Sequence, residues 1–285
     1  MQLERKHQIK EALLDYVGKY DSQNKAANSL NKVSSATITQ VLKGNWDEIS
    51  DEMWRRIAKQ IGVDDVWQFV ETANTSKKIA SYLEDAQRYT NVHAIVHREG
   101  GSKSATVKNY AKRNANAWYI ACSEYFNRKT FLSKILQAML RDNSGTVSDM
   151  MHNIVTYIEG CDKPVLFIDE ADKLSDQVLS FFITFSNELE DKCAIVLLGT
   201  NFLEKRIDKG VKLNRRGYKE IYSRIGRRFI EIAITPAQLK EDIKAICIAN
   251  GISDALTITE ITNKCDGDFR RVKKLVHAKK QMQKS

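Results

Sequence analysis

Two different patterns of hydrophobic and polar positions divide the chain near residue 70. Over the first seventy residues, apolar side chains recur every three or four positions, which is the period of amphipathic helices. From residue 92 onward, short apolar runs alternate with longer helical stretches. The pattern therefore predicts an all-α domain followed by an α/β domain.

The first domain, residues 1–70, is predicted to be a small bundle of helices. A short turn separates the segments SQNKAANSL and SATITQVLKGNW, and two more helices are predicted in ISDEMWRRIAKQIGV and DDVWQFV. The second of these four segments can bury its apolar side chains while short polar ones face outward, which is typical of a recognition helix that reads a major groove. The candidate base-contacting residues are Ser35, Thr37, Thr39 and Gln40.

This domain is similar to the repressor-type helix-turn-helix domain, on the segment KAANSLNKVSSATITQVLKGNW. The alternative is a helical bundle that mediates protein contacts and does not touch DNA. The balance of charges supports that alternative, because residues 1–70 hold ten basic and ten acidic side chains, whereas a lone DNA-binding module is usually basic.

The second domain is predicted to hold a parallel β-sheet. The runs VHAIV, AWYIAC, PVLFID and CAIVLLGT have the length and composition of buried strands, and each is separated from the next by helical sequence. In such sheets the ligand site lies at the carboxyl ends of the strands. We predict a nucleotide-binding core over 91–235 and a helical lid with a basic tail over 236–285, preceded by a linker and first helix at 71–90.

Two segments at predicted strand ends have the chemistry of a phosphate site. The loop HREGGSKS follows the first strand and leads into a helix, so its backbone N–H groups could hold phosphates while Lys103 neutralises charge and Ser104 binds Mg²⁺. The strand PVLFIDEAD ends in Asp169, placed to hold magnesium through water, and Glu170, placed to activate the attacking water.

With these residues in this order, the chain resembles the AAA+ ATPases, and within them the transposition ATPases of the MuB and TnsC type. The resemblance implies an α/β fold with a P-loop core and a small helical lid, and it implies ATP and Mg²⁺ as cofactors. Ser104 and Asp169 are the implied metal ligands. The residues implied to bind the nucleotide are Gly100, Gly101, Ser102, Lys103, Ser104, Ala105 and Asp169.

Three further motifs support the resemblance and supply the remaining catalytic candidates. The segment LLGTN implies that Asn201 orients water near the γ-phosphate, and GDFRRVKKLV implies that Arg270 reaches the phosphates from the lid. The segment YSRIGRRFIEI implies an arginine finger, for which Arg224 is the first candidate and Arg227 and Arg228 are alternatives. Surface charge or a structural ion pair is the competing interpretation for each arginine.

The phosphate loop departs from the family pattern G-x-x-G-x-G-K-[ST] at two positions. His97 and Ser102 replace the first and last glycines, whereas Gly100 is kept and Gly101 is an additional glycine. A side chain at such a position can crowd the ligand or strain the loop by roughly 1–3 kcal/mol. We expect that ATP still binds and that hydrolysis is slow.

The net charge of +9 is concentrated in the last third of the chain. Between residues 200 and 235 there are ten basic side chains against four acidic ones, which is the electrostatic pattern expected of a phosphate-backbone binder. A solvated basic loop is the alternative. The candidate contacts to duplex DNA are Lys205, Arg206, Lys209, Lys212, Arg215 and Arg216.

The five cysteines are scattered and include no CxxC spacing, which is typical of free thiols in a reducing compartment. The sequence shows neither a signal peptide nor a membrane segment, so a cytoplasmic protein is expected. The resemblance implies that it belongs to a bacterium, phage or mobile element.

The resemblance implies an ATP-dependent protein that binds DNA largely without reading its sequence and delivers target DNA to a transposase. Assembly as ATP-bound rings or helical filaments on double-stranded DNA is implied too. A helix-turn-helix transcriptional regulator with a nucleotide-sensing module is the alternative, and a catalytically silent scaffold is a third possibility.

Overall fold

Four helices form the first of two units, Met1–Gln68, in a computed structural model that describes residues 1, 3–63 and 67–282. The helices are α1 (Leu3–Val17), α2 (Gln23–Asn28), α3 (Ser35–Lys43) and α4 (Asp51–Gln60). Serine side chains cap three of them, because Ser22, Ser34 and Ser50 each accept a backbone N–H from the first turn. The buried side chains that hold this unit together include Ile9, Leu13, Ile38, Val41, Trp54 and Ile57.

The helix predicted in DDVWQFV is not found where the structure describes that segment. Residues 67–70 have no regular secondary structure, and residues 64–66 lie outside the described part of the chain. A seven-residue segment cannot sustain a helix by propensity alone, because nucleation is costly and helices this short depend on tertiary packing.

The second unit, Phe69–Ser285, is built on a parallel sheet in the order β2-β3-β4-β1-β5. The four predicted strands are confirmed as β1 (Val92–Val96), β2 (Ala117–Ala121), β3 (Val165–Asp169) and β4 (Ala194–Gly199). A fifth strand, β5 (Ile230–Glu231), pairs with β1 at one edge. This strand was not predicted, because two residues are too few to show the alternation of apolar and polar positions that indicates a strand.

Helices cover both faces of this sheet. Alternate residues of β3 point to opposite faces, so Phe167 joins one buried cluster while Leu166 and Ile168 join the other. The helices of the core are α5 (Thr75–Tyr89), α6 (Lys103–Arg113), α7 (Arg128–Ala138), α8 (Val147–Glu159), α9 (Asp176–Glu188), α10 (Asn201–Lys212) and α11 (Tyr218–Arg224), with a 3₁₀ turn at Ala171–Lys173.

The helix within the predicted linker segment packs into the core of the second unit. Ile79 and Leu83 of α5 are fully buried in the cluster that contains Ile95 and Phe167. Among the described residues that precede α5, residues 67–74 have no helical structure.

Three helices follow the sheet and form the predicted lid: α12 (Pro236–Ala249), α13 (Ala255–Lys264) and α14 (Phe269–Met282). The lid is tied to α5 by Asp242, whose buried carboxylate accepts hydrogen bonds from the Asn74 and Thr75 backbone N–H groups and from the Thr75 hydroxyl. The last three residues of the basic tail, 283–285, lie outside the described residues. None of the described helices has both the length and the apolar character needed to cross a bilayer.

Candidate nucleotide-binding site

The loop 97–102 connects the carboxyl end of β1 to the first turn of α6. Lys103 is the first residue of α6, and Ser104 and Ala105 follow in the same turn, so their backbone N–H groups lie at the helix N-terminus. Ser102 has a left-handed backbone with φ of 69° and makes no side-chain cap to the helix. This is the conformation that glycine adopts without cost, which explains why the family pattern has glycine there.

Lys103 is held inside the loop by the loop's own backbone. The side chain is buried, and Nζ donates to the carbonyl oxygens of His97 at 2.5 Å and Arg98 at 3.1 Å. Burial lowers the pKa of Lys103, while the carboxylates of Asp169 and Asp172 act in the opposite direction. The ammonium group is thus already positioned where phosphate oxygens could replace the two carbonyl partners.

The His97 ring fills the space that a side chain at position 101 would need. A Cβ added to Gly101 would overlap Cδ2 and Nε2 of the buried ring. The replacement of the first glycine by His97 is therefore linked to the additional glycine, because the histidine ring is accommodated by the absence of a side chain at position 101. Among the described residues, Nε2 of His97 is a buried side-chain atom with no hydrogen-bond partner.

The environment of His97 favours the neutral ring. Burial is the main cause, and the positive charges of Lys103 and Arg98 add to it, so that the pKa falls from 6.5 to about 4. A hydrogen bond with the backbone of Ile232 opposes this shift. The ring is therefore uncharged near neutral pH.

The lid is docked directly on the phosphate loop. The backbone N–H of Phe269 donates to the carbonyl oxygen of Gly100 at 3.0 Å, and the Asp268 carboxylate lies where a side chain at position 100 would be. Gly100 also has a positive φ of 68°, so glycine is required there for two independent reasons. Arg270, in the first turn of α14, is close enough to Lys103 for its charge to lower the pKa of that lysine.

Asp169 closes the opposite side of the site, at the carboxyl end of β3. Its carboxylate is 2% exposed, and its two oxygens accept from the Tyr119 hydroxyl at 2.7 Å and from the Glu170 backbone N–H at 2.9 Å. Glu170 has a left-handed backbone with φ of 56°, a strained conformation of the kind found at functional sites. The Glu170 side chain accepts from Lys173 Nζ at 2.7 Å and is partly exposed.

Asn201 begins α10 directly after β4 and has an exposed side chain. The preceding residue, Thr200, caps α10 and also donates from its hydroxyl to Asp172 at 3.4 Å. The segment LLGTN therefore does bring polar side chains to the same sheet edge as Asp169. Thr200 and Asp172 form the contact there, while Asn201 is free to face a ligand.

Arg224 is not brought together with the other predicted site residues. It ends α11 and lines a cleft of about 610 Å³ with Val92 and His93, at the amino end of β1. Because the phosphate loop leaves the opposite end of that strand, Arg224 faces away from the loop of its own chain. It forms an ion pair with Glu190, whereas Arg227 and Arg228 are exposed.

Most of the basic residues predicted to contact DNA lie on one exposed surface. Lys205, Lys209 and Lys212 follow one another along α10, on the side opposite the buried Leu203 and Ile207. Arg215 and Arg216 are exposed in the turn after this helix, and Arg215 lies 3.8 Å from an Asp176 oxygen.

Arg206 differs from its basic neighbours. Its guanidinium donates to the carbonyl oxygens of Asp172 and Leu174, contacts the Tyr218 hydroxyl and pairs with Asp176. These bonds join α10 to the 3₁₀ turn that follows Glu170. The structure therefore gives Arg206 a role in supporting the site, and we leave it out of the basic surface defined by Lys205, Lys209, Lys212, Arg215 and Arg216.

The polar residues of α3 have local partners. Gln23 of α2 donates to the hydroxyls of Ser35 and Thr39 at 3.1 and 2.7 Å, and Gln40 donates to Glu48 at 3.1 Å. The Thr37 hydroxyl lies 2.9 Å from that of Ser34. All four predicted contact residues are half-buried, so the face of α3 is polar and partly preorganised.

The donor set at the strand ends fits Mg²⁺. This ion prefers oxygen ligands, keeps several waters and is usually held by one or two protein groups together with substrate phosphates. The Ser104 hydroxyl at the start of α6 and the buried Asp169 carboxylate are groups of this kind.

Two residues at the site, Tyr119 and Asp268, were missed by the sequence analysis. Each contacts a residue far away along the chain, since Tyr119 and Asp169 are 50 positions apart. A tyrosine in the otherwise apolar run AWYIAC was the one available signal.

The chain is similar to known proteins in sequence and in fold. The AAA domain family matches residues 86–207. The chain is 25% identical over 213 residues to the Mu-like prophage FluMu DNA transposition protein B of Haemophilus influenzae, covering 71% of this chain and 69% of that protein. It is similar in fold to Cdc6p from Pyrobaculum aerophilum, with a TM-score of 0.51 and 18% identity, covering 73% of this chain and 62% of that one.

The AAA match and the parallel sheet confirm the predicted α/β fold class, and the similarity to Cdc6p supports the fold alone. The similarity to the transposition protein supports the family resemblance that the sequence motifs indicated. Residues 86–207 thus match the AAA domain family, and the chain is related to a Mu-like prophage transposition protein B.

Proposed function

We propose that this protein binds ATP and Mg²⁺ in the loop 97–105 and uses the bound state to assemble on DNA. The observation that carries the proposal is that Lys103 and Asp169 lie at the same end of the parallel sheet, where the lid meets the loop through the hydrogen bond from Phe269 to Gly100. The buried ammonium group of Lys103 and the N-terminus of α6 form an anion site, and the lid contacts that site through Gly100.

Hydrolysis is proposed to be slow and to depend on residues of two chains. Glu170 holds the attacking water, and Asn201 orients it from the end of β4. Bound magnesium supplies charge neutralisation on the phosphates. Because Arg224 lies at the amino end of β1, it acts as an arginine finger on the nucleotide of a neighbouring copy, after exchanging its ion pair with Glu190.

The basic surface on α10 is the proposed contact with duplex DNA. Its side chains track phosphates, and repetition of the surface around a ring or filament multiplies the contact without reading base sequence. The related prophage protein is named a DNA transposition protein, so we propose that this chain delivers target DNA to a transposase. Its proposed setting is the cytoplasm of a bacterium that carries a phage or mobile element.

Electron microscopy with duplex DNA of arbitrary sequence tests this proposal. Rings or filaments are expected with ATP and Mg²⁺ and not without them, and the Lys103→Ala variant should form none. The control is Lys112→Ala, which removes an exposed lysine from the last turn of the same helix. Assemblies that are indifferent to nucleotide would contradict the proposal.

Binding over a range of salt concentrations tests the basic surface separately. Replacing Lys212, Arg215 and Arg216 with Ala should weaken DNA binding and flatten its salt dependence, because fewer counterions are released. Unchanged binding and an unchanged salt slope would reject this surface.

A transcriptional regulator remains the second candidate, and the polar face of α3 is the observation that favours it. Gln23 orients Ser35 and Thr39 on that face, as expected of side chains that meet base edges. A footprint at one defined sequence, with discrete oligomers, would favour this function over target delivery.

A further inference from the structure

Tyr119 reaches the nucleotide site from β2, although no motif includes it. Its hydroxyl donates to Oδ2 of Asp169 at 2.7 Å, while Oδ1 accepts the Glu170 backbone N–H at 2.9 Å. Both oxygens of this buried carboxylate are therefore fixed by hydrogen bonds. The orientation of Asp169 depends on Tyr119 as much as on the strand that carries it.

The Tyr119 ring lies along the face of α6 that carries Ser104. Nζ of Lys108 lies 4.9 Å from the centre of the ring, and Ser104 is four residues earlier, one turn back on the same face of the helix. The ring therefore packs against the helix that carries the serine, while the phenol hydroxyl contacts the aspartate of β3.

We propose that Tyr119 is a positioning residue for the divalent cation of the nucleotide site, because its hydroxyl fixes one oxygen of the buried Asp169 carboxylate while its ring packs against the helix that carries Ser104. The inference rests on the proposed binding of ATP and Mg²⁺. Groups that orient metal ligands through hydrogen bonds typically change metal affinity by about 10- to 100-fold when they are removed. Tyr119 itself does not touch the ion.

The test measures nucleotide affinity with and without metal in the Tyr119→Phe variant. ATP binding in EDTA should stay within about twofold of the wild type, because the N–H groups of the loop and Lys103 are untouched. The Mg²⁺ concentration that half-saturates the ATP-bound protein should rise about tenfold. Titration with Mn²⁺ followed by electron paramagnetic resonance measures the same quantity directly and does not depend on turnover.

Tyr110→Phe is the matched control. It also removes a hydrogen-bonded, part-buried phenol hydroxyl, but that group donates to Gln87 at 2.7 Å and not to Asp169. Its metal half-saturation should equal that of the wild type, and thermal unfolding checks that both variants fold. A double-mutant cycle with Asp169→Asn should show that the two effects are not additive, because Tyr119 acts through Asp169.

Three results would overturn the inference. An unchanged metal half-saturation in Tyr119→Phe would mean that the ring only packs against α6. An equal loss of ATP affinity in EDTA and in Mg²⁺ would mean that the substitution affects the loop and not the binding of the cation. If the wild type binds no ATP under any condition, the proposed function fails first, and that result is distinguishable because it precedes any comparison of variants.

Discussion

The two sides of the candidate nucleotide site differ in how far they depart from the family pattern. The loop side has lost two glycines, at His97 and Ser102, and is repacked by its neighbours. The strand side keeps Asp169 and Glu170 at the end of β3, with both oxygens of Asp169 hydrogen-bonded.

This difference follows from what each side contributes. A phosphate loop binds chiefly through backbone N–H groups, so its side chains can change as long as the backbone keeps its path. The His97 ring is tolerated because position 101 has no Cβ, and the compensation is purely steric. The strand side contributes carboxylates, and backbone groups cannot supply their charge or their basicity in any arrangement.

The largest effect is expected on the strand side, from Glu170→Gln. Loss of a positioned general base typically lowers turnover by about 10²- to 10⁴-fold. ATP affinity should change by less than about threefold, since neutralising a carboxylate does not remove a phosphate-binding group. Single-turnover hydrolysis measures the effect on turnover, and equilibrium binding measures the effect on ATP affinity. The control is Glu188→Gln, at an exposed position at the end of α9. Turnover equal to the wild type would remove Glu170 from the mechanism.

On the loop side, acid should destabilise the protein through His97. Its folded pKa of about 4 lies below the unfolded value of 6.5, so the unfolded chain binds the proton first as the pH falls. The resulting loss of unfolding free energy is absent above pH 6.5 and grows to about 3 kcal/mol as the pH approaches 4. Urea unfolding at pH 7 and pH 4.5 measures this loss in the wild type and in the His97→Gly variant. Equal losses in the two proteins would show that His97 is not the titrating group.

Gly101→Ala should break the steric compensation within the loop. The added Cβ overlaps the buried His97 ring, and overpacking of this kind costs about 1–3 kcal/mol of unfolding free energy. Adding His97→Gly to the same chain should recover most of that loss. The control is Gly160→Ala, where the nearest atom to the new Cβ is 3.6 Å away. Failure of the double variant to recover would mean that the two positions are not coupled.

The smallest effect is expected from Ser102→Gly, which restores the last glycine of the family loop. Ser102 has φ of 69°, so glycine relieves a left-handed conformation that costs a non-glycine residue about 1 kcal/mol. The melting temperature should rise by a few degrees despite the greater freedom of the unfolded chain. A lower melting temperature would show that the serine side chain makes a compensating contact.

The local motifs of the candidate nucleotide site could be recognised in the sequence because each one is continuous along the chain. The loop that ends in Lys103, the aspartate that ends β3 and the polar residues after β4 are each next to a strand with a clear apolar run. In contrast, the short strand β5 and the absence of a helix at residues 67–70 were not predicted. Both involve fewer residues than a hydrophobic period needs to become visible.

The roles of individual arginines could not be read from charge. Arg206 and Lys205 are adjacent in the sequence, yet the first is bonded within the core and the second is exposed. Arg224 was chosen from its motif, and its ion pair with Glu190 became visible only in the structure. Which arginine is free to meet a partner depends on the packing of helices around it.

By itself, the sequence determined the α/β class and the order of strand, loop and helix, and it supplied the candidate phosphate-binding and carboxylate residues, because these depend on patterns within a few consecutive positions. Only the tertiary structure decided that Tyr119 contacts Asp169, that Asp268 covers Gly100 and that the His97 ring lies against Gly101. The physical reason is that such contacts are steric and hydrogen-bonding matches between separately placed backbones. Their geometry exists only once the sheet has formed and the lid has docked on it.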